Sequence, residues 1–110
     1  MSITTPAAKT AQLLAVLWER NRPVVEERLA ILEGAINSLV ATQTLAPETQ
    51  VDAANVAHKL AGTLGMFGYP RGTDLARLIE EVLELQDPLT ATEANQLHEW
   101  FVELRAVVAK

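Results

Sequence analysis

The chain has 110 residues, enough for one hydrophobic core and therefore one domain spanning 1–110. With 49% hydrophobic and 21% charged residues it has the composition of a folded globular chain, and its net charge of −5, with basic residues scattered singly apart from Arg20 and Arg22, argues against a nucleic-acid partner. It has no cysteine, which excludes disulfides, thiol catalysis and cysteine-ligated zinc.

Five segments with helical period follow one another. The first runs from about Pro6 to Arg20, with Thr5 placed to cap it and Pro6 suited to the first turn. The second starts near Pro23 and reaches about Thr42, with Val25, Leu29, Leu32, Ile36 and Leu39 on one stripe. Ala46-Pro47-Glu48 breaks the chain, and a third helix is predicted from about Gln50 to Phe67, with Thr49 as its cap. Its inward stripe is Ala53 or Ala54, Ala57, Leu60, Leu64 and Phe67. Gly68-Tyr69-Pro70-Arg71-Gly72 reads as a turn. Thr73 then caps a fourth helix with Leu75, Leu78 or Ile79, Val82 and Leu85 inward, ended by Asp87-Pro88. Thr90 to Glu93 has the spacing of a capping box and opens a fifth helix, with Leu97, Phe101, Leu104 and Val108 inward.

Short links between helices make neighbours antiparallel, so the expected fold is all-α: an up-down four-helix bundle with an additional short N-terminal helix. No apolar run approaches the ~18 residues of a membrane span, and no basic segment followed by an apolar stretch opens the chain. A soluble, cytoplasmic, monomeric protein without a membrane contact is expected.

The third segment departs from a plain scaffold helix. Gly62 and Gly65 sit four and seven residues after His58, on the same helical face, and each costs roughly 1 kcal/mol relative to Ala. Asn55 extends that face on the other side. Two readings fit the glycines: a flattened docking surface beside an exposed imidazole, or close helix packing inside the bundle. His98, beside Glu99 and Trp100, has no comparable setting. The two histidines lack any metal-ligand spacing, so no metal site is expected. Trp18, Trp100 and Phe101 read as core or boundary anchors.

The complete stretch Ala57-His58-Lys59-Leu60-Ala61-Gly62-Thr63-Leu64-Gly65-Met66-Phe67-Gly68 resembles the histidine-containing phosphotransfer (HPt) domain. That family's signature is His, an apolar residue at +2, Lys at +3, Gly at +4 and Gly at +10; here Leu60, Gly62 and Gly68 match, and Phe67 before the last glycine is also usual. The family's lysine is replaced by Ala61, while Lys59 stands at +1 and points in a different direction on a helix. In the family the lysine offers positive charge to the phosphate.

The resemblance implies that His58 is the phosphoacceptor of a two-component phosphorelay. The chain would be a carrier and not an enzyme. Its partners would be a response-regulator receiver domain or a histidine kinase, and it would need no cofactor of its own, the Mg²⁺ belonging to the receiver. The turn near Pro70 folds the fourth helix back, which places Glu80 or Glu81 at the level of His58. Glu80, 22 residues after His58, resembles a glutamate of chemotaxis-type histidine kinases that hydrogen-bonds the imidazole. Such a bond at Nδ1 would leave Nε2 as the nucleophile. Arg77, one turn before Glu80, could pair with it, supply the charge that Ala61 lacks, or belong with Glu81 and Glu84 to a solvated face. Asn55, Lys59, Gly62, Gly65 and Arg77 are the candidate phosphate or partner contacts. The alternative to a carrier is a docking module of HPt fold that binds a receiver or kinase without taking phosphate. A dimerisation bundle of the histidine-kinase type would need a longer helical hairpin.

Overall fold

The computed structural model describes residues 6–85 and 88–109, and these form four helices: α1 (Pro6–Thr42), α2 (Pro47–Met66), α3 (Pro70–Leu83) and α4 (Ala91–Val108). The described residues contain no strand. Helix α1 packs on α2 and α4, and α3 packs on α2 and α4, so the helices occupy the corners of a square with α1 and α3 on one diagonal. This is the up-down bundle expected from the short links. No helix among the described residues is long and apolar enough to cross a membrane.

The expected short N-terminal helix is not separate. Pro23 lies inside α1, which runs unbroken through it. A mid-helix proline removes one backbone hydrogen bond and crowds the preceding turn. Here it stands on the exposed side, while Trp18 and Val25 are buried on either side of it in the chain. The Asn21 amide also donates back to the Leu17 carbonyl (2.8 Å), giving that turn an additional tie. The core grip on α1 begins at Trp18, which packs against the rings of Phe67 (5.4 Å) and Tyr69 (5.0 Å). Residues 6–17 are never buried and carry α1 beyond the bundle, so the molecule is 61 Å long and 20 Å across. The Thr5 cap lies outside the described residues, as does Asp87.

Two other expected boundaries shift because proline opens the helix it was taken to precede. Helix α2 begins at Pro47, not Gln50, and has no side-chain cap, so Thr49 lies inside it. Helix α3 begins at Pro70, not after Thr73. In both, proline occupies the first helical position, where its missing N–H has no helical partner to lose. The second stripe is buried as expected, and both Ala53 and Ala54 face inward. On α3 the inward residues are Leu75, Ala76, Ile79 and Leu83, with Val82 half-buried and Leu85 exposed. The Thr90–Glu93 capping box is present in both directions: Glu93 N–H to Thr90 Oγ1 (3.1 Å) and Thr90 N–H to Glu93 Oε1 (2.8 Å).

The α2–α3 link sets the register of the site. Gly68 takes φ +82°, in the left-handed region. Tyr69 N–H bonds the Leu64 carbonyl (2.9 Å) and Gly68 N–H the Gly65 carbonyl (3.4 Å), the paired bonds of a Schellman ending. A glycine is favoured there because a Cβ in this conformation meets its own carbonyl.

Candidate functional site

His58 lies on α2 where that helix faces α3. Its ring Nδ1 is 2.9 Å from Glu80 Oε2. An ionised carboxylate only accepts, so the shared proton is the ring's Nδ1–H. The pair is asymmetric in burial: the His58 side chain is 74% exposed and that of Glu80 18%. Among the described residues Nε2 makes no hydrogen bond, so the ring is held by one nitrogen and presents the other to solvent. Of the two glutamates at this level Glu80 is the one bonded to the ring; Glu81 lines the same cleft without that bond.

The cleft beside His58 has a volume of about 360 Å³ and is open to solvent. Helix α2 contributes Ala61 and Gly62 to it, α3 contributes Arg77, Glu80 and Glu81, and Glu84 stands just past the end of α3. Arg77 is exposed and forms no ion pair among the described residues, so it is not joined to Glu80. Lys59 is exposed on α2 but does not line the cleft. Asn55 is exposed one turn before His58, in an adjoining groove of about 540 Å³ with Gln50, Val51, Ala54 and Leu83. Val51 (60% exposed) and Leu85 (44%) give that groove part of its apolar lining.

The two glycines separate. A Cβ on Gly62 would meet nothing within 4 Å, so this position is open surface beside His58. A Cβ on Gly65 would lie 3.2 Å from Thr73 Oγ1, which makes Gly65 a packing glycine that lets α2 approach α3. Gly65 thus belongs to helix packing, while Gly62 is open surface. Thr73, taken as a cap in the sequence, is buried inside α3, and its hydroxyl donates to the Ala61 carbonyl (3.0 Å). That bond ties α3 to α2 three residues beyond His58.

A second tie at the other end of α3 had no sequence signal. Gln50 on α2 donates through Nε2 to the carbonyls of Leu83 (2.7 Å) and Leu85 (3.2 Å), closing the end of α3. Thr73 could have been found by counting from the turn, since Gly65 and Thr73 lie four residues either side of Tyr69. His98 is exposed on α4, which does not pack against α2. No group of three or more potential metal ligands is gathered among the described residues.

Residues 10–107 match the family model described as "Hpt domain". The chain belongs to the HPt family. Protein RcaC of Microchaete diplosiphon is 40% identical over 78 residues, which cover 68% of this chain and 12% of that protein. The chain thus corresponds to a small part of that relative's length. No solved structure matches. As an HPt domain the chain is a phosphorelay-type protein, of a family whose members carry phosphate without catalysing its transfer and act with receiver domains and kinases. The family's last glycine has a visible task here, because Gly68 is the left-handed residue that ends α2.

Proposed function

We propose that His58 Nε2 carries a phosphoryl group between receiver-domain aspartates. The observation that carries this reading is the His58–Glu80 pair: one ring nitrogen bound to a half-sheltered carboxylate, the other free and outward. The Nε2 lone pair attacks phosphorus of a partner's phosphoaspartate. The N–P bond forms as the P–O bond breaks, the aspartate carboxylate is regenerated, and the ring becomes an imidazolium that keeps its Nδ1–H on Glu80. The reverse step passes the group onward. Glu80 is a positioning residue that fixes the tautomer and offsets the imidazolium charge.

In-line phosphoryl transfer depends on positioning and charge neutralisation more than on covalent chemistry. The partner receiver would supply the aspartate, a lysine and Mg²⁺. It would approach over Gly62, where no side chain intervenes, with Asn55 and the apolar groove at Val51 and Leu85 as contacts. The chain would act as a monomer in the cytoplasm.

The test is incubation with a receiver domain labelled on its aspartate. Acid-labile, base-stable label on the wild-type chain, absent from His58→Gln, is the expected result. Label that persists in His58→Gln overturns the site. The replacement of the family lysine by Ala61 favours a second reading, a docking module: it predicts that the folded chain binds receivers and is never labelled.

A further inference from the structure

A phosphoryl group on Nε2 brings close to two negative charges into a cleft that already contains Glu80, Glu81 and Glu84. Something must offset them. Position 61, three residues along α2, is an alanine with 4% exposure whose methyl forms part of the cleft wall, and it contributes no charge.

Of the nine lysines and arginines, Lys9, Arg20 and Arg22 stand in the N-terminal half of α1 and do not line the cleft, Lys110 lies outside the described residues, and five are left. Lys59 is next to His58 in sequence, but successive helical positions are about 100° apart, and it lies outside the cleft. Arg28 on α1 is directed to the Thr63 hydroxyl (3.4 Å). Arg71 is held by Glu103, and Arg105 by Glu26 (2.7 Å). Arg77 remains. It lines the cleft that holds His58, sits one turn before Glu80 on α3, and has no ion-pair partner among the described residues although three carboxylates share the cleft with it.

Resting on the phosphocarrier reading, we propose that Arg77 is the phosphoryl-binding cation of this domain. It reaches across from α3 to the non-bridging oxygens of the group on His58. The ligand is a tetrahedral oxyanion, first as the transferring phosphoryl and then as phosphohistidine. A guanidinium suits this task, because its planar fork of N–H donors can hold two phosphoryl oxygens at once and it stays charged at every working pH. The small residues at 61 and 62 line the cleft without filling it, and a Cβ on Gly62 would meet nothing within 4 Å. Charge that the family places on the histidine's own helix is placed here on the neighbouring one. The absence of a resting partner leaves Arg77 free to engage when phosphate arrives.

The experiment compares wild type, Arg77→Ala, Arg77→Lys and Lys59→Ala. Each is phosphorylated from an aspartyl-phosphorylated receiver and, separately, from the small donor phosphoramidate. Two quantities are read: the rate of transfer from the receiver, and the ³¹P resonance of the phosphohistidine as a function of pH. Arg77→Ala is expected to slow transfer at least tenfold and to move the phosphoryl ionisation to higher pH, since a nearby cation favours the dianion. Arg77→Lys should keep most of the rate, and Lys59→Ala should leave the ³¹P titration where wild type has it, because Lys59 lies outside the cleft. The ³¹P titration reports the charge next to the phosphate, which loss of packing at an exposed arginine would not move. Transfer within twofold of wild type and an unshifted titration in Arg77→Ala overturn the proposal while leaving His58 as the carrier. The same is true if Lys59→Ala, and not Arg77→Ala, moves the titration. Failure of the wild-type chain to take label from either donor overturns the phosphocarrier reading itself.

Discussion

Replacing each of the two α2 glycines with alanine should separate the docking face from the packing face, with opposite signs in stability. Gly62 lies within α2 and its added methyl meets nothing, so Gly62→Ala gains the helix propensity difference of about 0.8–1.0 kcal/mol. For a domain of this size that raises Tm by about 4 °C. At Gly65 the residue is next to the last in α2, where the propensity gain is smaller, and the new methyl stands 3.2 Å from Thr73 Oγ1. Thr73 is only 8% exposed and is held by its bond to the Ala61 carbonyl, so it has little room to yield. Overpacking of this kind typically costs about 1–3 kcal/mol, which outweighs the gain and makes Gly65→Ala destabilising by about 1 kcal/mol. Urea and thermal unfolding of the two variants give the stabilities, and transfer from a labelled receiver gives the functional cost. Gly62→Ala should be more stable than wild type yet slower in transfer, because its methyl stands where the partner approaches His58. If Gly65→Ala stabilises as much as Gly62→Ala, the α2–α3 contact does not constrain that position. If Gly62→Ala transfers at the wild-type rate, the open surface is not what the partner needs.

Three further outcomes follow from the same geometry. Gly68→Ala places a side chain at φ +82° and should cost about 1–2 kcal/mol in unfolding free energy by urea titration. Thr73→Val removes the hydroxyl that bonds Ala61 and should cost about 1 kcal/mol by the same measurement, with Thr73→Ser recovering part of it. The hydrogen bond from Arg71 holds the Glu103 carboxyl below the usual carboxylate range, and the same bond raises Arg71. A carboxyl whose pKa is lowered by folding contributes stability above the ordinary carboxylate range and loses it as pH falls through the lowered value. The stability difference between wild type and Glu103→Gln should therefore be small and constant from about pH 5 to 7 and shrink below about pH 4. A difference that grows on acidification would show that the pair does not act in this way.

The helices were legible wherever apolar spacing was long and regular, as in the stripe from Val25 to Leu39 and in α4 with its capping box. Pro6 opens α1 as expected, but three other prolines act otherwise. Pro47 and Pro70 open helices, and Pro23 is absorbed by one, because neither a first-turn position nor an exposed mid-helix position forces the chain to break. His58 was legible as motif and as exposed face; distance from the turn narrowed its partner to Glu80 or Glu81, and the family resemblance pointed to Glu80. Gly65, Thr73 and Gln50 leave no periodic trace in their own helices, because each acts on an atom of the neighbouring helix; counting outward from the turn pairs Gly65 with Thr73, and Gln50 has no such signal.

Those ties explain how an exposed imidazole can be held in place. His58 and Glu80 each lie eleven residues from Tyr69, so their meeting depends on the register of α3 against α2. Near the turn the register is set by Gly68, by the close approach of Gly65 to Thr73, and by the Thr73–Ala61 bond. Beyond the site it is set by Gln50 on the end of α3. His58 stands between the two sets of pins. A slip of one residue would carry position 80 about 100° around α3, and the carboxylate would leave the ring. A single hydrogen bond at the surface contributes little net free energy, so the orientation of Nε2 is a property of the pinned helix pair more than of the His58–Glu80 bond. Loss of Thr73 or Gln50 should then slow transfer at His58 although neither touches the imidazole, and loosening both ends should slow it more than either alone.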